Sequence, residues 1–344
     1  MQDAAVIGWD IGGAHLKAAW LDAEGRVLAV RQQPCRLWEG IDRLDEAMRA
    51  IGAGLPPARR HCVTMTGELA DLFPDRAAGV AALVEAAERL PGEVAFWAGE
   101  AGFLPAGRAV DAAHAVASAN WLATAALVGR RHPAALLVDI GSTTTDLIPV
   151  AGGRVAARGR TDRARLAAGE LVYTGLTRTP VMAVADALPW AGERVPVMAE
   201  HFATTADAHR VLGQLDEHAD QHPAADGQAK TVEASARRLG RLIGVDLHEA
   251  GPAAWRALAA AVVEAQLQAI TRAAQQVLSA IPAADLPVVG AGVGRGLVAE
   301  LARRLGREHL DFASLVPPAP GAPPETAAWT AYCAPAVAVA ALGR

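Results

Sequence analysis

The stretch VIGWDIGGAHLKAAWL (Val6–Leu21) returns in altered form as LLVDIGSTTTDLIPV (Leu136–Val150). In each, an apolar run ends in an Asp-Ile-Gly step, Asp10-Ile11-Gly12 and then Asp139-Ile140-Gly141, and a second apolar run follows. The first copy continues through the turn Asp22–Gly25 into Val27–Val30, and the second through Ala151-Gly152-Gly153 to Val155. Short apolar runs separated by Gly- and Asp-containing turns predict antiparallel strands, so each copy predicts a three-stranded β-meander with an acid at its first turn. An internal duplication predicts two related halves. The expected domains are 1–134 and 135–324, with a closing helix over 325–344 returning to the first and a helical insertion at about 195–245 in the second. Two such halves facing one another would bring both acids and both glycine turns to a shared cleft.

Composition bounds what these halves can do. The chain has 344 residues, 52% hydrophobic and 20% charged, which is long enough for two α/β domains and too apolar for a disordered chain. A formal charge of −5 argues against nucleic acid or an anionic membrane as a partner held by bulk charge. Aromatic residues are only 4%, so small residues fill the interior. Cys35, Cys62 and Cys333 form no CxxC and are odd in number, as buried thiols would be. No basic segment precedes the first apolar run, and the apolar tail Ala331–Gly343 is shorter than the ~20 residues of a membrane span. A cytoplasmic protein is expected, and a homo-oligomer is compatible with it.

Periodicity predicts helices over Gly40–Leu55, Asp75–Leu90, Asp111–Val128, Glu200–Leu215, Ala229–Leu242 and Pro252–Leu278, the last broken at Pro282. Strands are expected at Cys62–Thr66, Phe96–Ala98 and Leu286–Val289.

The chemistry concentrates at the two turns. Gly12 and Gly13 allow a ligand close to the backbone, whose N–H groups suit an anion, while Asp10 suits a divalent cation. Lys17 could place a point charge on a phosphate. An ordinary hairpin would explain this turn alone. Its repetition around Asp139 and Gly141, with the hydroxyls of Ser142, Thr143 and Thr144 added, points to two phosphate turns. A late cluster, Gly290-Ala291-Gly292-Val293-Gly294, follows an expected strand and opens a helix. It is out of register for a dinucleotide fingerprint but could receive a phosphate or adenosine. Thr204, Thr205 and Asp207 suit a helix cap or a functional role, and His218 and His222 a solvated helix end or metal ligands.

These three glycine elements resemble the acetate and sugar kinase, Hsp70 and actin superfamily, which implies an α/β fold of two ribonuclease H-like domains closing on a phosphate ligand. A narrower resemblance rests on MTGELAD (Met65–Asp71), SANWLATA (Ser118–Ala125), VDIGSTTTDLIP, GELVYTGLTRTPV (Gly169–Val181) and AEHFATTADAHRVLG (Ala199–Gly213). These segments look like a family related to the hydantoinase/oxoprolinase N-terminal domain and linked to tetrahydromethanopterin-dependent one-carbon metabolism. Its archaeal members are similar to the enzyme of methanofuran biosynthesis that joins a furan to a glutamyl-tyramine.

The family implies a condensation. An (aminomethyl)furan-methyl diphosphate would lose diphosphate as the phenol oxygen of a tyrosine- or tyramine-type acceptor attacks. Asp10 and Asp139 would hold Mg²⁺, Lys17 and the glycine turns would neutralise the leaving group, and Glu170 would act as base, with Glu68 second. A structural carboxylate is the plain alternative for both. Glu68, Asn120, Tyr173 and Arg178 would line the acceptor side, although a satisfied core amide explains Asn120 equally well. Two other classes stay open: an ATP-dependent small-molecule kinase or hydantoinase-type ATPase, and a non-enzymatic nucleotide-sensing actin-like protein.

Overall fold

A computed structural model describes residues 4–281 and 285–344, and the break expected at Pro282 lies outside them. The chain divides into two compact units. One comprises Met1–Ala135, Val150–Val155 and Asp311–Arg344, and the other Leu136–Pro149 and Ala156–Leu310.

In the first unit, β1 (Val6–Ile11), β2 (His15–Leu21) and β3 (Val27–Pro34) form the meander read from the sequence. β4 (Arg60–Met65) joins β1 in parallel, followed by β5 (Glu93–Trp97) and β6 (Phe103–Leu104), giving the order β3-β2-β1-β4-β5-β6. Because side chains alternate along a strand, Trp9 and Ile11 share one face of β1. There they join Leu16, Val63 and Met65 in a core with Leu44 and Ile51 of α1 (Asp42–Gly52) and Leu83 of α2 (Arg76–Ala87). Gly8 points to the other face, where the apolar helix Ala334–Leu342 packs so closely that a methyl group on Gly8 would overlap the Ala336 carbonyl.

The single helix expected over Asp111–Val128 is instead two, α4 (Ala113–Val116) and α5 (Asn120–Arg131), preceded by α3 (Ala106–Asp111). Ser118, in the left-handed region at φ +51°, breaks the helical path just before α5.

The plan recurs in β7 (Ala134–Ile140), β8 (Thr145–Ala151) and β9 (Arg154–Val155), of which β9 groups with the first unit. α6 (Asp162–Ala168) starts at the Thr161 cap and ends at Gly169 in the left-handed conformation. β10 (Leu171–Val172) then pairs with β8. β11 (Ala187–Trp190) and β12 (Glu193–Pro196) form a separate hairpin. α7 (Thr205–Val211), α8 (Val232–Arg241) and the long α9 (Pro252–Ser279) bury Val211, Leu239, Trp255, Leu258 and Val262 together. The chain returns through β13 (Val288–Ala291), parallel to β7, then α10 (Arg295–Arg304) and β14 (His309–Asp311). The sheet order is β10-β8-β7-β13-β14, with β9 on β8. Each unit thus carries an antiparallel meander extended by parallel strands, the ribonuclease H-like α/β plan.

Candidate active site

Both Asp-Ile-Gly turns close alike. Gly12 N donates to His15 O at 3.0 Å, and Gly141 N to Thr144 O at 2.9 Å. Carbonyls of each turn are also satisfied from a later segment. Gly13 O and Ala14 O accept from Leu37 N and Cys35 N, whereas Gly141 O accepts from Leu176 N and Ser142 O from Thr177 N and Arg178 N. With its carbonyls tied back, each turn can leave other amides for a ligand. A methyl at Gly12 would come within 2.8 Å of His15 O, so the turn itself requires that glycine, whereas one at Gly13 would meet nothing within 4 Å.

The two turns differ in charge. In the first unit Asp10 is 2% exposed, and its Oδ2 lies 3.4 Å from Nζ of Lys17, its cross-strand neighbour. In the second unit Asp139 and the hydroxyl-bearing Ser142, Thr143 and Thr144 are all partly exposed. Arg178, expected on the acceptor side, belongs to this turn: its Nη1 lies 3.3 Å from Thr143 Oγ1. Burial pulls its guanidinium below the ordinary value, while the charge interaction with Tyr173 opposes that shift. A desolvated cation on a rim of hydroxyls and amides favours an anion. Tyr173, 67% exposed, offers a ring beside it.

Gly175, which the sequence reading passed over, makes this arrangement possible. A methyl there would lie 2.5 Å from Ser142 C and Thr143 N, so residues 174–178 rest directly on the turn. The peptide is held from behind. Thr145 Oγ1 donates to Thr174 O at 2.7 Å, Gln266 Nε2 to Gly175 O at 2.7 Å, and Thr205 Oγ1 to Gly175 O at 2.9 Å. Gln266 was visible in principle, because an amide at helical spacing between the apolar Val262 and Ile270 needs a partner.

The late glycine turn packs on the second phosphate turn. Gly292, at φ +80°, brings its backbone so close to Asp139 Oδ1 and Ile140 O that no side chain fits, and Gly294 N donates to Ile140 O at 2.9 Å. Gly290, expected to bind phosphate, lies buried within β13, where a methyl would meet His309 Nε2 at 2.7 Å. Packing against His309 and Val298 accounts for this glycine without a ligand.

Three further residues named from the sequence have structural partners. Glu170, the first-choice base, is 1% exposed and accepts from Arg158 N at 2.5 Å and Gly159 N at 2.8 Å. Both carboxylate oxygens are thereby committed to bracing a loop. Glu68, expected to bind substrate, is also 1% exposed. Its Oε1 accepts from Ser118 Oγ at 2.7 Å, its Oε2 has no hydrogen-bond partner among the described residues, and burial raises its pKa. Asn120 is the first residue of α5 rather than an interior one, and its Oδ1 accepts from Trp121 N at 2.7 Å. Local backbone capping thus explains the amide.

Thr204 and Asp207 form a capping box, and Asp207 Oδ1 also accepts from Ser235 Oγ and Arg238 Nε. Burial pushes the thiols of Cys35 and Cys62 up to about 12 and about 11, which leaves them protonated and poor nucleophiles.

Among the described residues, no three His, Cys, Asp or Glu side chains converge on a metal position, and no helix is long and apolar enough to cross a membrane. Mg²⁺ does not require such a cage, because it binds through one or two carboxylates together with phosphate oxygens and water. Asp139 and the adjacent hydroxyls make an all-oxygen donor set that fits it.

Residues 59–321 match the hydantoinase/oxoprolinase family model. A (4-{4-[2-(gamma-L-glutamylamino)ethyl]phenoxymethyl}furan-2-yl)methanamine synthase from Methanocaldococcus jannaschii is 31% identical over 243 residues, covering 70% of this chain and 72% of that one. A protein of the same name from Methanococcus vannielii is 35% identical over 114 residues, covering 33% of this chain and 51% of that one. Among solved structures, the Acidaminococcus fermentans (R)-2-hydroxyglutaryl-CoA dehydratase component A aligns at a TM-score of 0.48 with 11% identity, covering 98% and 96% of the two chains. The match over most of its length, together with the two Asp-Ile-Gly turns, makes this chain a member of the hydantoinase/oxoprolinase family.

Proposed function

We propose that the chain is a transferase of methanofuran-type cofactor biosynthesis, joining an (aminomethyl)furan-methyl diphosphate to the phenol of a tyrosine- or tyramine-type acceptor. The name of the relatives describes a phenoxymethyl-furan, the aryl ether this reaction would make. The observation that carries the reading is Arg178, a desolvated guanidinium against Thr143 on a turn rich in hydroxyl and amide donors. Such a cradle suits a leaving diphosphate better than a neutral substrate.

In the reaction the bond from the furan-methyl carbon to diphosphate oxygen breaks, and a bond from that carbon to the phenol oxygen forms. The furan ring spreads the positive charge that develops on its methyl carbon, so stabilising the departing diphosphate supplies much of the catalysis. Arg178, the hydroxyls of Ser142, Thr143 and Thr144, and the turn amides bind its oxygens, and Tyr173 offers a ring for the furan to stack on. Mg²⁺ at Asp139 would add charge neutralisation. In this scheme the phenolic proton passes to the departing diphosphate, so the products are ether and protonated diphosphate.

The test incubates the protein with Mg²⁺, the furan-methyl diphosphate and tyramine, and in parallel with ATP, assaying diphosphate, ether and ADP. Ether formed in step with diphosphate supports the proposal. ADP formation without ether would favour the kinase or ATPase reading, and nucleotide binding with no turnover in any arm would favour a sensing role.

A further inference from the structure

Behind residues 174–178 lies a run of fully buried polar groups that the reaction itself does not use. Gln266 of α9 and His209 of α7 are both 0% exposed, and His209 Nε2 lies 3.0 Å from Gln266 Oε1. Gln266 Nε2 reaches Thr174 Oγ1 at 3.0 Å and Gly175 O at 2.7 Å.

Hydrogen-bond accounting fixes the direction of this chain. A carbonyl can only accept, so the Gln266 nitrogen must face Gly175 O and its oxygen must face His209. His209 Nε2 therefore carries the hydrogen. Burial lowers the His209 pKa, which favours a neutral ring, so Nδ1 accepts. Its neighbour at 3.3 Å is the Gln214 side-chain amide, which serves as the donor when turned so that its nitrogen faces the ring. The order is thus Gln214 to His209 to Gln266 to Gly175, with Thr205 Oγ1 as a second donor to the same carbonyl. Both lone pairs of Gly175 O are then engaged, while Gly175 N donates to Thr179 Oγ1 at 2.8 Å. The held peptide is the one whose Cα rests against Ser142 and Thr143.

We infer that Gln266 and His209 are positioning residues that set the height of the Gly175 peptide, and through it the spacing between the Ser142–Thr143 turn and Arg178, for a diphosphate group. This inference rests on the proposed function. Neither residue touches the substrate in this scheme. Each acts through the peptide, so its loss should weaken the grip on diphosphate and leave the phenolic acceptor's KM unchanged.

The experiment measures inorganic diphosphate binding by calorimetry in the presence of Mg²⁺, together with KM for each substrate. Gln266→Leu and His209→Phe should weaken diphosphate binding roughly 10- to 100-fold and raise the diphosphate-substrate KM in parallel, the scale expected when a binding group is displaced by about 1 Å. His209→Gln, which restores an N–H donor, should recover part of that loss. Thr205→Val removes one hydroxyl and serves if the larger changes prevent folding. Gln268→Leu, an exposed position on the same helix, should bind diphosphate like the parent. If every folded relay variant binds diphosphate as tightly as the parent, or if both KM values rise together, the inference fails. If the parent binds no diphosphate and makes no ether, the proposed function itself fails.

Discussion

Replacing Gly175 with Ala is the sharpest perturbation of the proposed cradle. Its φ is not in the positive range, so the backbone conformation suits alanine and the cost is steric. The new Cβ would stand 2.5 Å from Ser142 C and Thr143 N and 2.6 Å from Ser142 O. Carbon atoms in contact sit about 3.5–4.0 Å apart, so the two segments must separate by about 1 Å. Neither yields freely. Gly175 is tied through its oxygen to Gln266 and Thr205 and through its nitrogen to Thr179, and the turn closes on itself through Gly141 N and Thr144 O. Overpacking of this kind costs about 1–3 kcal/mol, and a displacement near 1 Å at a binding group lowers turnover on the order of 100-fold. Urea unfolding and kcat/KM for the diphosphate substrate measure the two effects separately. Gly107→Ala in α3 is the control for kcat/KM, because a methyl there meets nothing within 4 Å and the position lies outside the proposed cradle. Stability within about 0.5 kcal/mol of the parent, the range of a neutral surface change, together with unchanged kcat/KM in Gly175→Ala, would refute the claim that this contact sets the cradle.

Glu170→Gln should destabilise by about 1–3 kcal/mol, because one of the two loop amides loses its acceptor, while the folded fraction keeps turnover within a few-fold. A collapse of kcat at undiminished stability would restore Glu170 as the base. Glu68 carries a carboxyl pKa raised by burial above its ordinary 4.5, so the native state holds the proton more tightly than the unfolded chain. Its stabilising contribution is full below that ordinary value and is lost as pH rises through the raised native value. Glu68→Gln should therefore flatten the stability profile over that interval, and denaturant midpoints at a series of pH values would show equal slopes if the reasoning is wrong. Asp139→Asn should abolish Mg²⁺-dependent turnover while leaving the melting temperature within a few degrees, since this carboxylate is partly exposed; full activity would remove it as a metal ligand.

The sequence carried the fold well where one period dominated. Both meanders followed from apolar runs between glycine turns, and α9 spans Pro252–Ser279 against an expected Pro252–Leu278. It failed at Ser118, because a single left-handed serine leaves no trace in periodicity. At the site, local motifs were legible and their employment was not. Gly12, Gly13 and Gly141–Thr144 could be found by repetition alone. Glu170 could not be told from a base, because its two donors are backbone amides of Arg158 and Gly159, which any residues at those positions would supply. Gly290 and Gly292 likewise looked like a ligand turn because glycine reads the same whether a phosphate or another strand comes close.

The duplication itself explains why the two turns need not share a task. Aligning Asp10 with Asp139 sets Lys17 against Asp146. In the first unit the cross-strand lysine lies 3.4 Å from the turn's own acid. In the second, the equivalent position is itself an acid, and it pairs with Arg165, a residue 3% exposed that also donates to Glu170 O. The acid of the second turn thus lacks a cross-strand lysine, while a separate cation, Arg178, comes in from the segment behind Gly175. An acid and a guanidinium flanking a hydroxyl-rich turn can serve a metal ion and a phosphate oxygen at once. One backbone shape, copied, thus carries an aspartate–lysine pair in the first unit, and in the second an aspartate–arginine pair with a further arginine against Thr143. The proposed placing of the diphosphate on the second turn rests on Arg178 against Thr143.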